Sequence, residues 1–199
     1  MSEELFESIR VENGQVMNLD YHQKRLMQNS QIDLYNLASN LQIKSKSTVY
    51  KWRLSYLNND VISSSITEYK PKDISTLKLI ECNNIEYGKK YNDRSIINSL
   101  LEKRGQCDDI LIVKNNYISD TSFSNILFKK EDKWFTPLNP LLKGTCRARL
   151  LDEKIIIEDN ISVSDLPNFN SFMLINAMLN FSLDRAKDLC TIYGNSILK

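Results

Sequence analysis

Two adjacent lysines, Lys89 and Lys90, stand in the segment GKKYNDRS, where strand-like sequence gives way to a helical pattern. A lysine amine can attack a carbonyl group and can then accept or return a proton as base and acid. Adjacent residues in an extended segment point to opposite faces, so only one of these lysines can enter a pocket. A solvated surface lysine looks the same in sequence, so the segment alone leaves both interpretations open.

Other side chains that commonly perform chemistry are scarce. His22 is the single histidine of the sequence, which excludes histidine-based triads and sites with several histidine ligands. The four cysteines are far apart and form no C-x-x-C pair, so they predict neither a metal site nor a disulfide framework. Acid–base chemistry must therefore depend on lysine, aspartate, glutamate or tyrosine.

Composition and charge limit the class of protein. The 199 residues, 42% of them hydrophobic, can bury a core as one large domain or two small ones. The formal net charge is +1, whereas nucleic-acid and membrane-surface binders carry concentrated positive charge. The sequence has no signal-like segment and no apolar stretch near the roughly 20 residues that span a bilayer. We expect a cytoplasmic protein that binds a small molecule or another protein and contacts neither nucleic acid nor membrane.

The first half of the chain predicts an antiparallel sheet with helical cover. Two alternating runs meet at Asn13 and Gly14, a dipeptide suited to the positive φ angles of a tight hairpin. Asp20 can cap a following segment of roughly helical periodicity, which predicts one or two helices. Three further runs rich in β-branched or aromatic residues predict strands over 48–57, 61–70 and 75–83.

The second half predicts further strands and two helices, so the expected class is α+β. A helix should follow the lysines and end at Gly105, and two strands should flank a turn at Asn115 and Asn116. A hairpin over 125–138 and a short amphipathic segment from Gly144 come next. The pattern breaks at residues 83–88, which predicts a small α+β domain over 1–84 and a larger domain over 85–199.

Six segments in this order resemble the class IV aminotransferases, a family that holds pyridoxal 5′-phosphate (PLP) on a lysine. The segments are FESIR at 6–10, HQKRL at 22–26, KYNDR at 90–94, SDTSFSNILF at 119–128, KGTCR at 143–147 and INAML at 175–179. The resemblance implies PLP as cofactor, a homodimer, and the fold of D-amino acid aminotransferases, with two subdomains of antiparallel sheets and covering helices. Family members usually carry a further segment before the FESIR-like strand, so the resemblance implies an N-terminally shortened small domain.

The resemblance also implies roles for single residues on the cofactor side. Lys90, not Lys89, has the family spacing and would carry the cofactor. Asp120 would keep the pyridine nitrogen of PLP protonated, with Asn125 five positions later as in the family. Arg25 would bind the phosphate, because a phosphate requires a fixed cation and oriented N–H groups.

The turn at Gly144, Thr145 and Cys146 would supply those N–H groups. Cys146 stands where many relatives carry a hydroxyl residue, so a side-chain hydrogen bond to the phosphate is either absent or comes from Thr145. His22 is expected to orient Arg25 or pack near it.

Three more residues would lie on the substrate side, and each also has an ordinary structural explanation. Arg53 could receive a substrate carboxylate or be an exposed strand arginine. Arg94 and Asn176 resemble positions near the cofactor or substrate, but an exposed helix residue and a buried, satisfied amide explain them as well.

The resemblance implies one of three functions. The first is elimination of pyruvate from 4-amino-4-deoxychorismate to give 4-aminobenzoate for folate synthesis, which KYNDR and INAML favour. The second is transamination of a branched-chain or D-amino acid, since FESIR is closer to the branched-chain enzymes. The third is a relative that binds PLP without turnover. The substrate is therefore expected to be a small molecule, either an amino acid or aminodeoxychorismate.

Overall fold

The chain folds into two units. The computed structural model describes residues 3–43, 45 and 47–194. The first unit holds Met1–Lys72 and Lys89–Asp93, and the second holds Asp73–Gly88 and Arg94–Lys199. A single boundary near residue 84 was expected. Instead, the strand over residues 77–81 belongs to the second unit, and residues 89–93 return to the first because they pair with its opening strand.

In the part that the structure describes, the first unit is an antiparallel sheet with two helices. Its elements are β1 (Leu5–Glu12), β2 (Gln15–Val16), α1 (Leu19–Leu26), α2 (Leu34–Ser39), β3 (Tyr50–Leu57) and β4 (Asp60–Glu68). The strand order is β2-β1-β3-β4. The predicted hairpin is confirmed, because Asn13 and Gly14 form its turn with φ angles of 52° and 79°. The core contains Leu5, Ile9, Val11, Leu26, Leu34, Trp52 and Leu54.

The predicted start of α1 is wrong. Asn18, with a left-handed φ of 53°, occupies the N-cap position, so the helix begins before Asp20. Asp20 lies in the first helical turn, and its carboxylate accepts a hydrogen bond from the Tyr35 hydroxyl at 2.5 Å. An acidic residue in the first turn still complements the helix dipole. Asp20 therefore links α1 to α2 instead of capping α1.

Up to residue 194, the second unit combines two sheets with two short α-helices. Its elements are β5 (Leu77–Glu81), α3 (Ser95–Leu101), β6 (Asp109–Lys114), β7 (Tyr117–Thr121), β8 (Asn125–Lys130), β9 (Lys133–Pro137), α4 (Thr145–Asp152), β10 (Ile156–Asp159), β11 (Ser171–Ile175), β12 (Lys187–Asp188) and β13 (Ile192–Tyr193). The sheets have the orders β10-β9-β8-β11-β12 and β13-β5-β6-β7. Short 3₁₀ helices lie over Glu102–Arg104, Val163–Asn168, Leu183–Arg185 and Leu189–Thr191.

The α+β class is confirmed, but the second unit is not purely antiparallel. β5 runs parallel to β6 and to β13, and β10 runs parallel to β9. A parallel pair requires a long crossover, and the chain between β5 and β6 provides one that includes α3. The predicted turn at Asn115 and Asn116 is confirmed, with φ angles of 50° and 67°. Within the described residues, no helix is long and apolar enough to cross a membrane.

Candidate functional site

Lys90 lies beside β1 in the first unit. Its carbonyl oxygen accepts a hydrogen bond from the Phe6 N–H at 2.9 Å, and Tyr91 forms a bridge with Leu5. The Lys90 side chain is half-buried and places Nζ 4.5 Å from the centroid of the Phe6 ring, whereas Lys89 is exposed. Pairing with β1 therefore fixes the backbone of Lys90 and brings its amine over an aromatic surface.

Arg53 lies against the same aromatic ring. Its guanidinium carbon is 3.7 Å from the Phe6 centroid, and Nη2 donates a hydrogen bond to Asn92 Oδ1 at 2.5 Å. Arg53 reaches this position from β3, which pairs with β1. The structure thus brings together the predicted cofactor lysine and one predicted substrate residue, with Phe6 in contact with both.

Arg25 is held by a buried carboxylate that the sequence did not single out. Arg25 Nε donates to Glu7 Oε1 at 2.8 Å and Nη2 donates to Glu7 Oε2 at 2.5 Å. His22 Nδ1 lies 2.6 Å from Glu7 Oε2. Glu7 and His22 are fully buried, whereas 14% of the Arg25 side chain is exposed. His22 therefore acts on Arg25 through Glu7.

The charge states of this cluster follow from burial and from the partners. Burial alone raises the pKa of Glu7, but Arg25 and His22 outweigh it and lower the pKa to about 2. Burial lowers the pKa of His22, although Glu7 opposes the shift. A neutral His22 with its proton on Nδ1 can donate to the ionised Glu7. Glu7 is thus a carboxylate that accepts hydrogen bonds from both residues.

Asp120 in the second unit is a buried carboxyl group with two fixed partners. Asn125 Nδ2 donates to Asp120 Oδ1 at 2.8 Å, and the Leu142 N–H donates to Asp120 Oδ2 at 3.0 Å. Burial raises the pKa of Asp120 to about 6, although these hydrogen bonds and the charge of Arg147 act in the opposite direction. The group is therefore mainly ionised at pH 7 and sits where a cationic partner is favourable.

Gly144 connects Asp120 with the N-terminus of α4. A Cβ atom on Gly144 would lie 2.1 Å from Asn125 Oδ1, a distance that no side chain tolerates. The absence of a side chain lets Asn125 donate to Asp120 and also to the Leu142 carbonyl at 2.8 Å. Gly144, Asn125 and Asp120, which the resemblance assigned separately, thus form one packed unit.

The N-terminus of α4 carries the predicted phosphate turn. Gly144 is the N-cap residue, and in the described chain no side chain caps this helix. The first N–H groups of a helix have no acceptor within the helix and attract anions. Thr145 and Cys146 are buried there, and Cys146 Sγ lies 3.6 Å from Asn180 Oδ1. The thiol is occupied inside the unit, so Cys146 can offer only its backbone N–H.

Arg94 and Asn176 both attach to the loop between β7 and β8. Arg94 Nη2 donates to the Ser122 carbonyl at 2.5 Å, and Asn176 Nδ2 donates to Ser124 Oγ at 2.9 Å. Asn176 Oδ1 also accepts hydrogen bonds from two backbone N–H groups of its own turn. This loop joins Asp120 to Asn125, so Arg94 and Asn176 both support the segment that positions the Asp120 carboxylate. Their contact with substrate stays a prediction.

Sequence reasoning missed Glu7 and Arg147. Glu7 occupies a core-facing position of β1 between Leu5 and Ile9, and an acidic residue there signals a buried partner. Arg147 is buried, with Nη2 donating to the Pro137 carbonyl at 2.8 Å and to Glu158 Oε1 at 2.7 Å. Arg147 therefore connects α4 to β9 and β10. The KGTCR segment, which contains Arg147, predicted only a phosphate-binding turn.

Comparisons with known proteins support the family resemblance. The family model for class IV amino-transferases matches residues 89–182. A crystal structure from Haemophilus somnus 129PT, described as a "putative 4-amino-4-deoxychorismate lyase", is 31% identical, with a TM-score of 0.79. The match covers 90% of this chain and 98% of that chain. This chain belongs to the class IV aminotransferase family.

Two further proteins are similar to this family member. An uncharacterized protein of Haemophilus influenzae is 38% identical over 183 residues, which cover 87% of this chain and 97% of the relative. The PLP-bound form of a hypothetical aminotransferase from Mycobacterium tuberculosis has a TM-score of 0.70 at 15% identity, covering 99% of this chain and 83% of that one. The predicted family and fold are therefore confirmed.

Proposed function

We propose that this class IV aminotransferase family member is a PLP-dependent enzyme with Lys90 as the cofactor lysine, and that it acts as a 4-amino-4-deoxychorismate lyase. The observation that carries the proposal is the packed group of Asp120, Asn125 and Gly144 at the start of α4. It places a buried carboxylate and an uncapped helix N-terminus in one rigid arrangement, which suits a ligand with a cationic ring nitrogen and a phosphate.

The second unit fits both ends of such a ligand. Asp120 is ionised above its pKa of about 6, and each of its oxygens keeps a fixed donor, so the carboxylate is oriented before a ligand binds. A buried carboxylate stabilises a proton on the pyridine nitrogen, because the ion pair lowers the cost of both charges. The Thr145 and Cys146 backbone lies at the helix end where an anion is stabilised.

The first unit supplies an amine and a cation. The Lys90 amine lies over Phe6, and the Arg25 guanidinium uses Nε and Nη2 on Glu7. Among the hydrogen bonds of the described residues, Arg25 Nη1 makes none, and the side chain is partly exposed. That edge of the guanidinium can bind a phosphate oxygen. The residues present therefore fit PLP.

The chain's own residues then divide the chemistry. Bound PLP supplies an electron sink that stabilises negative charge at the substrate α-carbon. Lys90 would remove the proton at that carbon as base and would then deliver a proton as acid, in the lyase reaction to the departing pyruvate. Asp120 holds the proton on the pyridine nitrogen. Arg53, fixed by Phe6 and Asn92, is the candidate that receives the substrate carboxylate.

The lyase reaction has the better support of the two candidate reactions. The relative from Haemophilus somnus carries the lyase description at 31% identity, and KYNDR and INAML resemble lyase segments. The reaction would split 4-amino-4-deoxychorismate into pyruvate and 4-aminobenzoate, with the abstracted proton returned to the products. Transamination of a branched-chain or D-amino acid is the second candidate, because it begins with the same proton abstraction at Lys90. The homodimer stays a prediction.

Three measurements on the purified protein test the proposal. Absorption spectra with PLP should show a bound cofactor, and borohydride reduction with peptide mapping should place the pyridoxyl group on Lys90. Lys89→Ala is the matched control and should label normally, whereas Lys90→Ala should not label. Aminodeoxychorismate should then give 4-aminobenzoate and pyruvate in equal amounts.

The outcomes separate the candidates. Ketoacid formation from amino donors without 4-aminobenzoate would replace the lyase by the aminotransferase. PLP bound at Lys90 without any turnover would leave the non-catalytic alternative. A label on Lys89, or no label in cofactor-saturated protein, would refute the role of Lys90.

A further inference from the structure

We propose that Glu7, fixed by His22, is a positioning residue that aims Arg25 at the cofactor phosphate. This inference rests on the proposed function, because the anion that Arg25 binds is taken to be the phosphate of PLP. It assigns a task to the FESIR and HQKRL segments together. Neither Glu7 nor His22 contacts the cofactor in this proposal, and both act through Arg25.

The geometry of Arg25 supports an aimed cation. Glu7 accepts from Nε and Nη2 of the guanidinium, so the fork fixes the plane and the direction of the group. The third nitrogen, Nη1, then points away from Glu7. An arginine on the last turn of α1 would otherwise have several rotatable bonds with which to leave this direction. One carboxylate thus converts a flexible cation into a fixed donor.

Burial of Glu7 argues against a purely stabilising role. Glu7 lies among the apolar residues of the first core, with Leu5 and Ile9 as its neighbours on the same face of β1. Removing a carboxylate from water is costly, and a buried ion pair is commonly no more stable than apolar residues of similar size. A charge retained at this position is better explained by what it does to Arg25.

His22 completes the arrangement by fixing Glu7. Its Nδ1 lies 2.6 Å from Glu7 Oε2, the same oxygen that accepts from Arg25 Nη2. His22 is three residues before Arg25 on α1, so both reach Glu7 from one helix face. Lys90 and Tyr56 also interact electrostatically with this cluster. Two residues of α1 therefore hold the carboxylate of β1 in one orientation.

The test compares PLP with pyridoxal, which lacks the phosphate, on the same variants. Glu7→Gln keeps the shape of the side chain but turns one acceptor into a donor, so the fork to Arg25 is lost. We expect PLP affinity to fall roughly tenfold to a hundredfold, as for loss of a charged hydrogen bond, and pyridoxal affinity to change by less than about twofold. Glu12→Gln is the matched control, because Glu12 forms a two-bond pair with Arg10 on the same strand. It should change neither affinity.

A second pair of variants covers the case in which Glu7→Gln does not fold. His22→Asn keeps an N–H donor near the Nδ1 position and should retain most of the PLP affinity, whereas His22→Leu removes the donor and should weaken PLP selectively. Thermal unfolding of each variant reports folding separately from binding.

The results also separate this inference from the proposed function. If wild type labels at Lys90 and Arg25→Ala loses PLP, but Glu7→Gln binds normally, the positioning role is refuted and the cofactor role stands. Equal losses for PLP and pyridoxal would likewise refute it, since they indicate a general structural effect. If wild type does not bind PLP, both proposals fail.

Discussion

Replacement of Gly144 by alanine should disrupt the hydrogen bonds that hold Asp120 and Asn125, without straining the backbone. The φ and ψ angles of Gly144, −67° and 146°, are accessible to any residue, so the added methyl group acts only through space. That methyl carbon would lie 2.1 Å from Asn125 Oδ1. Asn125 must therefore move, and its hydrogen bonds to Asp120 and to the Leu142 carbonyl are lost or bent.

The expected size follows from those two hydrogen bonds. A hydrogen bond to a charged acceptor contributes about 1.5–3 kcal/mol, and one between neutral groups about 1 kcal/mol. Gly144→Ala should therefore lower the free energy of unfolding by roughly 2 to 4 kcal/mol. The pKa of Asp120 should also rise, because the Asn125 side chain normally lowers it.

Urea unfolding of a small set of variants measures this effect. Gly88→Ala is the matched control, because a Cβ atom there meets nothing within 4 Å. Asn125→Ala removes the atom that clashes, so Gly144→Ala should cost little in that background, and the double-mutant cycle should show strong coupling. A cost for Gly144→Ala below about 0.5 kcal/mol, as for a neutral surface change, or a full cost in the Asn125→Ala background, would refute the argument.

Three other predictions concern charge. Asp120→Asn should keep PLP on Lys90 yet lose most turnover, since the pyridine nitrogen loses its charge partner, and near-normal rates on the true substrate would contradict this. Arg25→Ala should weaken PLP binding by about 1.5–3 kcal/mol, whereas Arg53→Ala should raise the KM for substrate and leave PLP affinity nearly unchanged. Both apo variants should be titrated with PLP, and loss of PLP binding in Arg53→Ala but not in Arg25→Ala would show that the two roles are reversed. Glu7 has a pKa of about 2 instead of 4.5, so its contribution is complete above pH 4.5 and is lost as pH falls towards 2. Acid titration of stability should show this loss in wild type and not in Glu7→Gln.

Local features of the fold were predictable because their causes are local. Asn13–Gly14 and Asn115–Asn116 adopt the positive φ angles that their residue types tolerate, and both form the predicted hairpin turns. The helix after the lysines, α3, ends at Leu101, four residues before the predicted stop; a 3₁₀ helix over Glu102–Arg104 follows it, and Gly105 ends that segment with a φ of 63°. The start of α1 was misjudged because Asn18 and Asp20 are both good capping residues, and only the backbone angle of Asn18 decides between them.

Long-range pairing could not be obtained from the same patterns. The pattern of apolar and polar residues in β5 and β6 does not indicate that the two strands run parallel, because their relative direction depends on the path of the crossover between them. The segments of the candidate site were found by resemblance, but the contacts within it were not. Glu7 matters because it contacts Arg25, which is 18 residues away in the sequence, and Gly144 matters because it lies against Asn125, which is 19 residues away. Such contacts form only when the chain folds.

The return of residues 89–93 to the first unit has a consequence for modularity. Because the chain leaves the first unit at Lys72 and re-enters it for the Lys90 segment, the two units share three covalent crossings instead of one. Neither unit can be exchanged between relatives as a single uninterrupted cassette. A recombination event that replaced residues 73–199 would also replace the nucleophile candidate and the edge that covers β1. We therefore expect the lysine segment and the opening strand to be inherited as a pair, with changes in one constrained by the other.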